Sequence, residues 1–194
     1  MSFNDIVMNR SLQDRLDDGS QGRLEIRGKW VIKTQRPDSF DDPIKEYQFL
    51  KAGSSEGITP KPFLKGDSLW VSLIDNGLSL REVLEGFESG LISLSELEEV
   101  VEEVVEAFYK LHHQVECCQV DSHSGNTLVY KQGNNFKIAL IDFGQGEWID
   151  DWKDGIDDFY LLGADIQGLA PSVYGLFCEL VEDLGYPSPD IMAI

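Results

Sequence analysis

Three side chains in the sequence have the type and spacing to hold a divalent cation on a nucleotide and to orient an attacking hydroxyl. Asp142-Phe143-Gly144 comes straight after the apolar run Ile138-Ala139-Leu140-Ile141, so Asp142 is expected at the end of a buried strand. Asn126 lies sixteen residues before Asp142, and Asp121 lies five before Asn126. The Asn126 carboxamide and the Asp142 carboxylate offer hard oxygen ligands of the kind that suit Mg²⁺, with Mn²⁺ as a substitute. A carboxylate at Asp121 can accept or orient the proton of a substrate hydroxyl. The string Asp-Phe-Gly alone recurs by chance; with the upstream Asp and Asn at this spacing it is specific. His123, two residues after Asp121, is either within reach of a transferring phosphate or a structural hydrogen-bonder.

Further residues complete the constellation. Gly19-Ser20-Gln21-Gly22 precedes the first expected strand, and glycines there let a hairpin backbone approach phosphates and present its N–H groups. Lys33 ends Val31-Ile32-Lys33, and Glu46 falls on the next expected helix with Phe49 and Leu50 three and four residues on. A carboxylate on that apolar side is costly unless paired, and Lys33 is its natural partner. His112 and His113, near the end of a long helix, read as partners of the helix dipole.

The elements that must position these groups follow from local signals. Arg23–Arg27 and Trp30–Thr34 alternate as two antiparallel strands around Gly28-Lys29. Asp42-Pro43 is a carboxylate N-cap with proline at the first helical position, opening a helix through Ile44–Ala52 with Gly53 as its C-cap. Thr59-Pro60-Lys61-Pro62 reads as a turn, Leu69–Ile74 as a strand, and Asp75-Asn76-Gly77 as its end. Ser79-x-x-Glu82 and Ser93-x-x-Glu96 are capping boxes. Leu94, Leu97, Val101, Val104, Val105, Phe108 and Leu111 form the expected buried stripe of the second of these helices. Thr127–Tyr130 and Phe136–Ile141 bracket Gly133-Asn134-Asn135 as a hairpin. From Asp158 to about Leu184 the pattern is helical. Strands early and helices late imply an α+β fold, with a small β-rich lobe and a larger helical one around a cleft.

Composition narrows the class. An apolar content of 42% over 194 residues allows one domain with a sizeable core. The net charge of −19 argues against nucleic acid or an anionic membrane as the main partner. Residues 1–36 hold seven Lys/Arg against five Asp/Glu, whereas the rest holds nine against thirty, so the basic start coincides with the candidate phosphate-binding region. Three cysteines without a C-x-x-C pair fit a reducing compartment, and the expected localisation is cytoplasmic. No run of eighteen apolar residues and no signal-peptide apolar core is present in the sequence.

These motifs together resemble the protein-kinase-like superfamily from about Asp17 to about Asp165. Gly19 and Gly22 match two glycines of its Gly-rich loop, while Asp17 stands at the first. Lys33 matches the phosphate-binding lysine and Glu46 its helix partner; Asn126 and Asp142-Phe143-Gly144 match fully. Gln119-Val120-Asp121 retains only the aspartate of H-R-D, and Asp158–Gly163 resembles the D-x-W-x-x-G start of the helix that anchors the second lobe. The resemblance implies a bilobal fold over 1–194, with a first lobe at about 1–74, a hinge at about 75–80 and a second lobe at about 81–194. It implies ATP bound by Gly19, Ser20, Gln21, Gly22, Leu24, Val31, Lys33, Ile74 and Leu128, with Leu24, Val31 and Leu128 around adenine. It implies Asp121, Lys33, Glu46 and His123 in catalysis, a metal on Asn126 and Asp142, and Leu50 stacked with Phe143 between the lobes.

The departures shape the expected substrate. The His and Arg before the catalytic Asp are replaced, and only fifteen residues separate Asp142 from Asp158, with no A-P-E. Activation by a phosphorylated loop is therefore not expected, and a peptide-docking platform is almost missing. In its economy the chain resembles the tRNA-modification-complex kinase, the RIO kinases and minimal kinases injected by bacterial pathogens. That implies Ser/Thr phosphorylation of a folded protein, with an activating protein partner as one option. For an injected effector the location becomes the host cytosol. Asp-x-His-x-Gly-Asn also resembles aminoglycoside and choline phosphotransferases, which keeps a small-molecule substrate open. A nucleotide-binding pseudokinase and AMP transfer are the remaining readings.

Overall fold

The computed structural model describes Phe3, residues 22–35 and residues 42–189. Gly19, Ser20 and Gln21 lie outside the described residues, and Gly22 is the first residue of β1. β1 (Gly22–Arg27) and β2 (Trp30–Gln35) form the expected antiparallel hairpin, in which Leu24 faces Lys33 across the ladder. α1 (Pro43–Ser55) starts on the Asp42 cap, whose carboxylate accepts from the N–H groups of Ile44 and Lys45. The helix runs past Gly53 to Ser55, so Gly53 is not its C-cap. Gly53 is instead a close-approach residue: a Cβ there would meet Thr59 Cγ2 at 2.5 Å, while Thr59 Oγ1 donates to the Leu50 carbonyl.

β3 (Pro62–Lys65) and β4 (Ser68–Ser72) complete a sheet of order β1-β2-β4-β3. β3 was hidden in the sequence because its proline reads as part of a turn; at a sheet edge, proline's missing N–H is tolerated. β5 (Leu78–Ser79) then leads into α2 (Leu80–Glu88) and α3 (Leu94–Lys110), and both helices open on complete capping boxes. The α3 stripe is buried as expected except for Leu94, which is 47% exposed in the first turn. A π-helical turn, Leu111–Val115, ends α3.

β6 (Cys117–Cys118) follows, then the hairpin β7 (Thr127–Gln132) and β8 (Asn135–Leu140), which joins β5 in a sheet of order β5-β7-β8. β9 (Glu147–Trp148) pairs with β6. The last helical stretch is not continuous: α4 (Ile156–Leu169) and α5 (Tyr174–Asp183) are separated at Pro171, which cannot continue a helix. The result is a small β-rich lobe and a reduced helical lobe. Phe3 is buried edge-on against Phe136 of the β7–β8 hairpin, so this residue packs with the second lobe although it precedes the first.

Candidate active site

Lys33 is the ionic centre of the cleft. Its Nζ lies 3.0 Å from Glu46 Oε2 on α1 and 2.7 Å from Asp142 Oδ1 at the end of β8. It therefore ties the sheet of the first lobe to α1 and to the second lobe together. Burial alone would push the ammonium pKa down, but the charges of Glu46 and Asp142 outweigh that and hold it well above the usual lysine range. Leu24, opposite Lys33, and Val31, two residues before it on the same strand, share its face of the sheet. Across the cleft Leu128 sits on β7, half-buried and opposite Ala139.

The loop carrying Asp121 is built by backbone pairing. Ile141 N–H donates to the Asn126 carbonyl, so the residues just before Asp142 and at Asn126 are adjoining. Gln119, fully buried, reaches the same two places: its Nε2 donates to the carbonyl of Ile141 and to that of Asn126. Asn126 Nδ2 donates to the Asp121 carbonyl at 2.9 Å, which leaves Oδ1 as the atom available to a cation. The Asp142 carboxylate is 44% exposed. These two oxygen donors fit a hard divalent ion. His123 Nδ1 accepts from the Gly125 N–H, capping the short turn Ser124–Asn126, and its Nε2 stands 3.9 Å from Asp121 Oδ2. The imidazole is thus both a structural hydrogen-bonder and the neighbour of the candidate base.

Asp158 holds this loop from beneath. Its Oδ2 accepts from Gln119 N–H at 2.8 Å and its Oδ1 from Val120 N–H at 2.9 Å, while Ser122 Oγ donates to its carbonyl. One turn pair further along α4, Asp165 Oδ2 accepts from Ser124 N–H and Oγ. The sequence pattern marked Asp158 as the start of an anchoring helix but did not say what it anchors, and it missed Asp165. The available signal was two carboxylates seven residues apart on one face of an apolar helix. His112, read as a dipole partner, lies in the last helical turn and is buried, with Nε2 3.1 Å from Asp158 Oδ2 and Nδ1 2.8 Å from Tyr186 Oη. Leu50 and Phe143, expected to stack, are both fully buried in the same core. Phe49 stacks on Phe143 at 6.0 Å and on its other side meets Trp148 at 4.5 Å, because Phe49 projects from α1 toward the strand after Asp142.

Ile74 lines a groove of about 490 Å³ with Thr59, Lys61, Leu73, Tyr130 and Ala139. None of Lys33, Glu46, Asp121, Asn126 or Asp142 borders that groove, so the groove and the ionic centre are separate features. Among the described residues no cluster of three His, Cys, Asp or Glu side chains is placed to hold a metal. No helix there is long and apolar enough to cross a membrane.

Among solved structures 480 chains match this one, so the architecture is widely shared. A structure described as WaaP in complex with acyl carrier protein matches with a TM-score of 0.63 at 14% identity, covering 92% of this chain and 85% of that one. The two chains share one overall fold. A choline/ethanolamine kinase family protein from Mesorhizobium loti matches with a TM-score of 0.54 at 13% identity, covering 86% of this chain and 65% of that one. This chain therefore lacks a counterpart for about a third of that kinase. No protein-family model and no curated protein matches the sequence. At these identities the likeness concerns the fold, and the chemistry has to be argued from the site.

Proposed function

We propose that this chain transfers the γ-phosphoryl group of ATP to a hydroxyl of a folded protein. The observation that carries the reading is Lys33, bound at once to Glu46 and Asp142, facing a loop that presents Asp121 and Asn126. Lys33 would contact the phosphate oxygens, with Glu46 fixing its position. Leu24, Val31 and Leu128 would flank the base, and the glycine-containing segment through Gly22 would cover the phosphates. Asp121 would orient the acceptor hydroxyl and take its proton as the oxygen attacks the γ-phosphorus; the bond to the β–γ bridging oxygen breaks and ADP departs. A divalent ion held by Asn126 and Asp142 would supply charge neutralisation at the phosphates.

A protein substrate is supported by how open the site is. The Asp121 carboxylate is 45% exposed, whereas small polar ligands are usually held in clefts that bury most of their surface. The structural neighbour bound to acyl carrier protein shows that this fold can engage a folded protein. The second reading, phosphorylation of a small molecule, is favoured by the Asp121–His123 proximity and by the likeness to a choline/ethanolamine kinase family protein. The test is incubation with γ-labelled ATP and Mg²⁺ in eukaryotic and bacterial lysates, alongside small-molecule fractions of each. A labelled protein band supports the proposal. Label found only in small molecules moves the assignment to the second reading; an unlabelled product that mass spectrometry finds heavier by AMP, the γ-label leaving in pyrophosphate, overturns both.

A further inference from the structure

The carboxylate that holds the Asp121 loop is itself held. Asp158, His112 and Tyr186 are all almost fully buried and form a chain of contacts: Tyr186 Oη to His112 Nδ1 at 2.8 Å, His112 Nε2 to Asp158 Oδ2 at 3.1 Å, then Asp158 to the N–H groups of Gln119 and Val120. An imidazole nitrogen facing a carboxylate must carry the proton, since two lone pairs would repel. With the proton on Nε2, a neutral ring presents a lone pair at Nδ1, and that lone pair needs a donor. Tyr186 is the donor in place. Burial pushes its phenol pKa well above the ordinary value, so the hydroxyl keeps its proton.

The surroundings leave the imidazole little freedom. A Cβ at Gly155 would meet His112 Cγ at 2.5 Å, and Phe159 stands edge-on to the ring at 5.5 Å. Tyr186 is fixed just as closely, edge-on to Trp152 at 4.6 Å and to Phe159 at 4.9 Å. The chain reaches this position by turning sharply after α5, at Gly185 with φ +89°. At the far end of the relay Val120 has φ +70°, a conformation that a β-branched residue adopts only when neighbours impose it.

We propose that Tyr186 is a positioning residue for the catalytic loop: its hydroxyl fixes the His112 tautomer that donates to Asp158, and so keeps Asp158 accepting from Gln119 and Val120. Its bearing on catalysis rests on the reading of Asp121 as the residue that meets the acceptor hydroxyl. Without the Tyr186 hydroxyl, the proton can move to His112 Nδ1. Nε2 then turns a lone pair on Asp158, the carboxylate rotates away, and the two N–H groups lose their acceptor.

The experiment is Tyr186→Phe in the full chain, with three readouts. Hydrogen exchange at the Gln119 and Val120 amides is expected to accelerate roughly tenfold or more, as loss of a charge-assisted acceptor implies. Exchange at Val104 and Leu162, deep in the same lobe, is expected to stay at the wild-type rate. The turnover number is expected to fall about ten- to a hundredfold with KM for ATP unchanged, the signature of a misplaced group rather than a lost ligand contact. Unchanged exchange at Gln119 and Val120, or acceleration only in step with Val104 and Leu162, overturns the proposal. ¹⁵N spectra of His112 in the wild-type protein give a test that needs no variant: an Nε2–H tautomer supports the relay, and an Nδ1–H tautomer overturns it. If the wild type transfers no phosphate to any acceptor while the exchange and tautomer results hold, the reading of Asp121 fails and the relay stands.

Discussion

Replacing Glu46 by Gln should separate what the ion pair does for activity from what it does for stability. The Lys33–Glu46 contact of 3.0 Å sits where Glu46 is 4% exposed and Lys33 16% exposed. At an effective dielectric constant of ~20 the Coulomb attraction at that distance is roughly 5 kcal/mol. Desolvation of the two ions offsets most of it, at several kcal/mol per ion. Lys33 also keeps Asp142 at 2.7 Å, so the substitution does not strand an unpaired charge. Net destabilisation of about 1–2 kcal/mol is therefore expected, measured by urea denaturation. Phosphoryl transfer should fall far more, by about 10²-fold, because a cation aimed at phosphate oxygens works only when preorganised. The double variant Lys33→Met/Glu46→Met sharpens the contrast. It should recover stability, since apolar replacement of a buried pair is often neutral or stabilising, yet remain inactive. In the activity cycle Lys33→Ala/Glu46→Ala the double variant should be little worse than either single one. Fully additive losses in log rate, or a Glu46→Gln variant with near-normal turnover, would refute the reasoning.

Four further outcomes are expected. Asp142→Ala should abolish transfer, by at least ~10²-fold, with circular dichroism unchanged; near-normal turnover in the folded variant would remove Asp142 from the site. Phe3→Ala should cost about 3 kcal/mol and lower the thermal midpoint, because Phe3 is 1% exposed against Phe136; an unchanged midpoint would show that Phe3 is not held there. Burial pushes the Cys118 thiol up to about 11 and Cys117 higher still, so these two cysteines should resist alkylation at pH 8, with Cys118 labelling rising as pH approaches its pKa. Rapid modification of either at pH 8 would contradict their burial. Purified protein should be active without prior phosphorylation, and a short peptide spanning the acceptor hydroxyl should be a poorer substrate than the intact target; loss of activity on phosphatase treatment would refute the first and equal use of the peptide the second.

Local chemistry was legible where a single signal decided the element. The Asp42-Pro43 cap and the two capping boxes are satisfied within four residues of chain, so no tertiary context could override them. The Lys33–Glu46 contact was legible for a different reason: a carboxylate on the core side of a helix needs a cation, and few were available. What escaped was decided at long range. β3 exists because β4 offers it an edge, and nothing in Pro62–Lys65 alone announces that. Gly53 and His112 each look like helix-end residues, and both are in fact placed by a distant neighbour, Thr59 in one case and Asp158 with Tyr186 in the other. The stack of Phe49 on Phe143 and its contact with Trp148 likewise depend on residues far along the chain.

The same long-range contacts explain how the loop that carries Asp121 is held in place. Backbone at Val120 and Asp142 has φ of +70° and +60°, on either side of the candidate metal site. Strain of that kind costs about 1–3 kcal/mol per residue, and it persists only where the surroundings over-determine it. Here Asp158 accepts the N–H groups of Gln119 and Val120, Gln119 spans the carbonyls of Asn126 and Ile141, and Lys33 holds Asp142. A hydrogen bond to a charged group contributes about 1.5–3 kcal/mol, so the Asp158 pair alone is of the size needed at Val120. β9 closes the arrangement by pairing with β6 directly after Asp142-Phe143-Gly144. Every one of these contacts is made by the chain's own residues, so each is open to test by substitution.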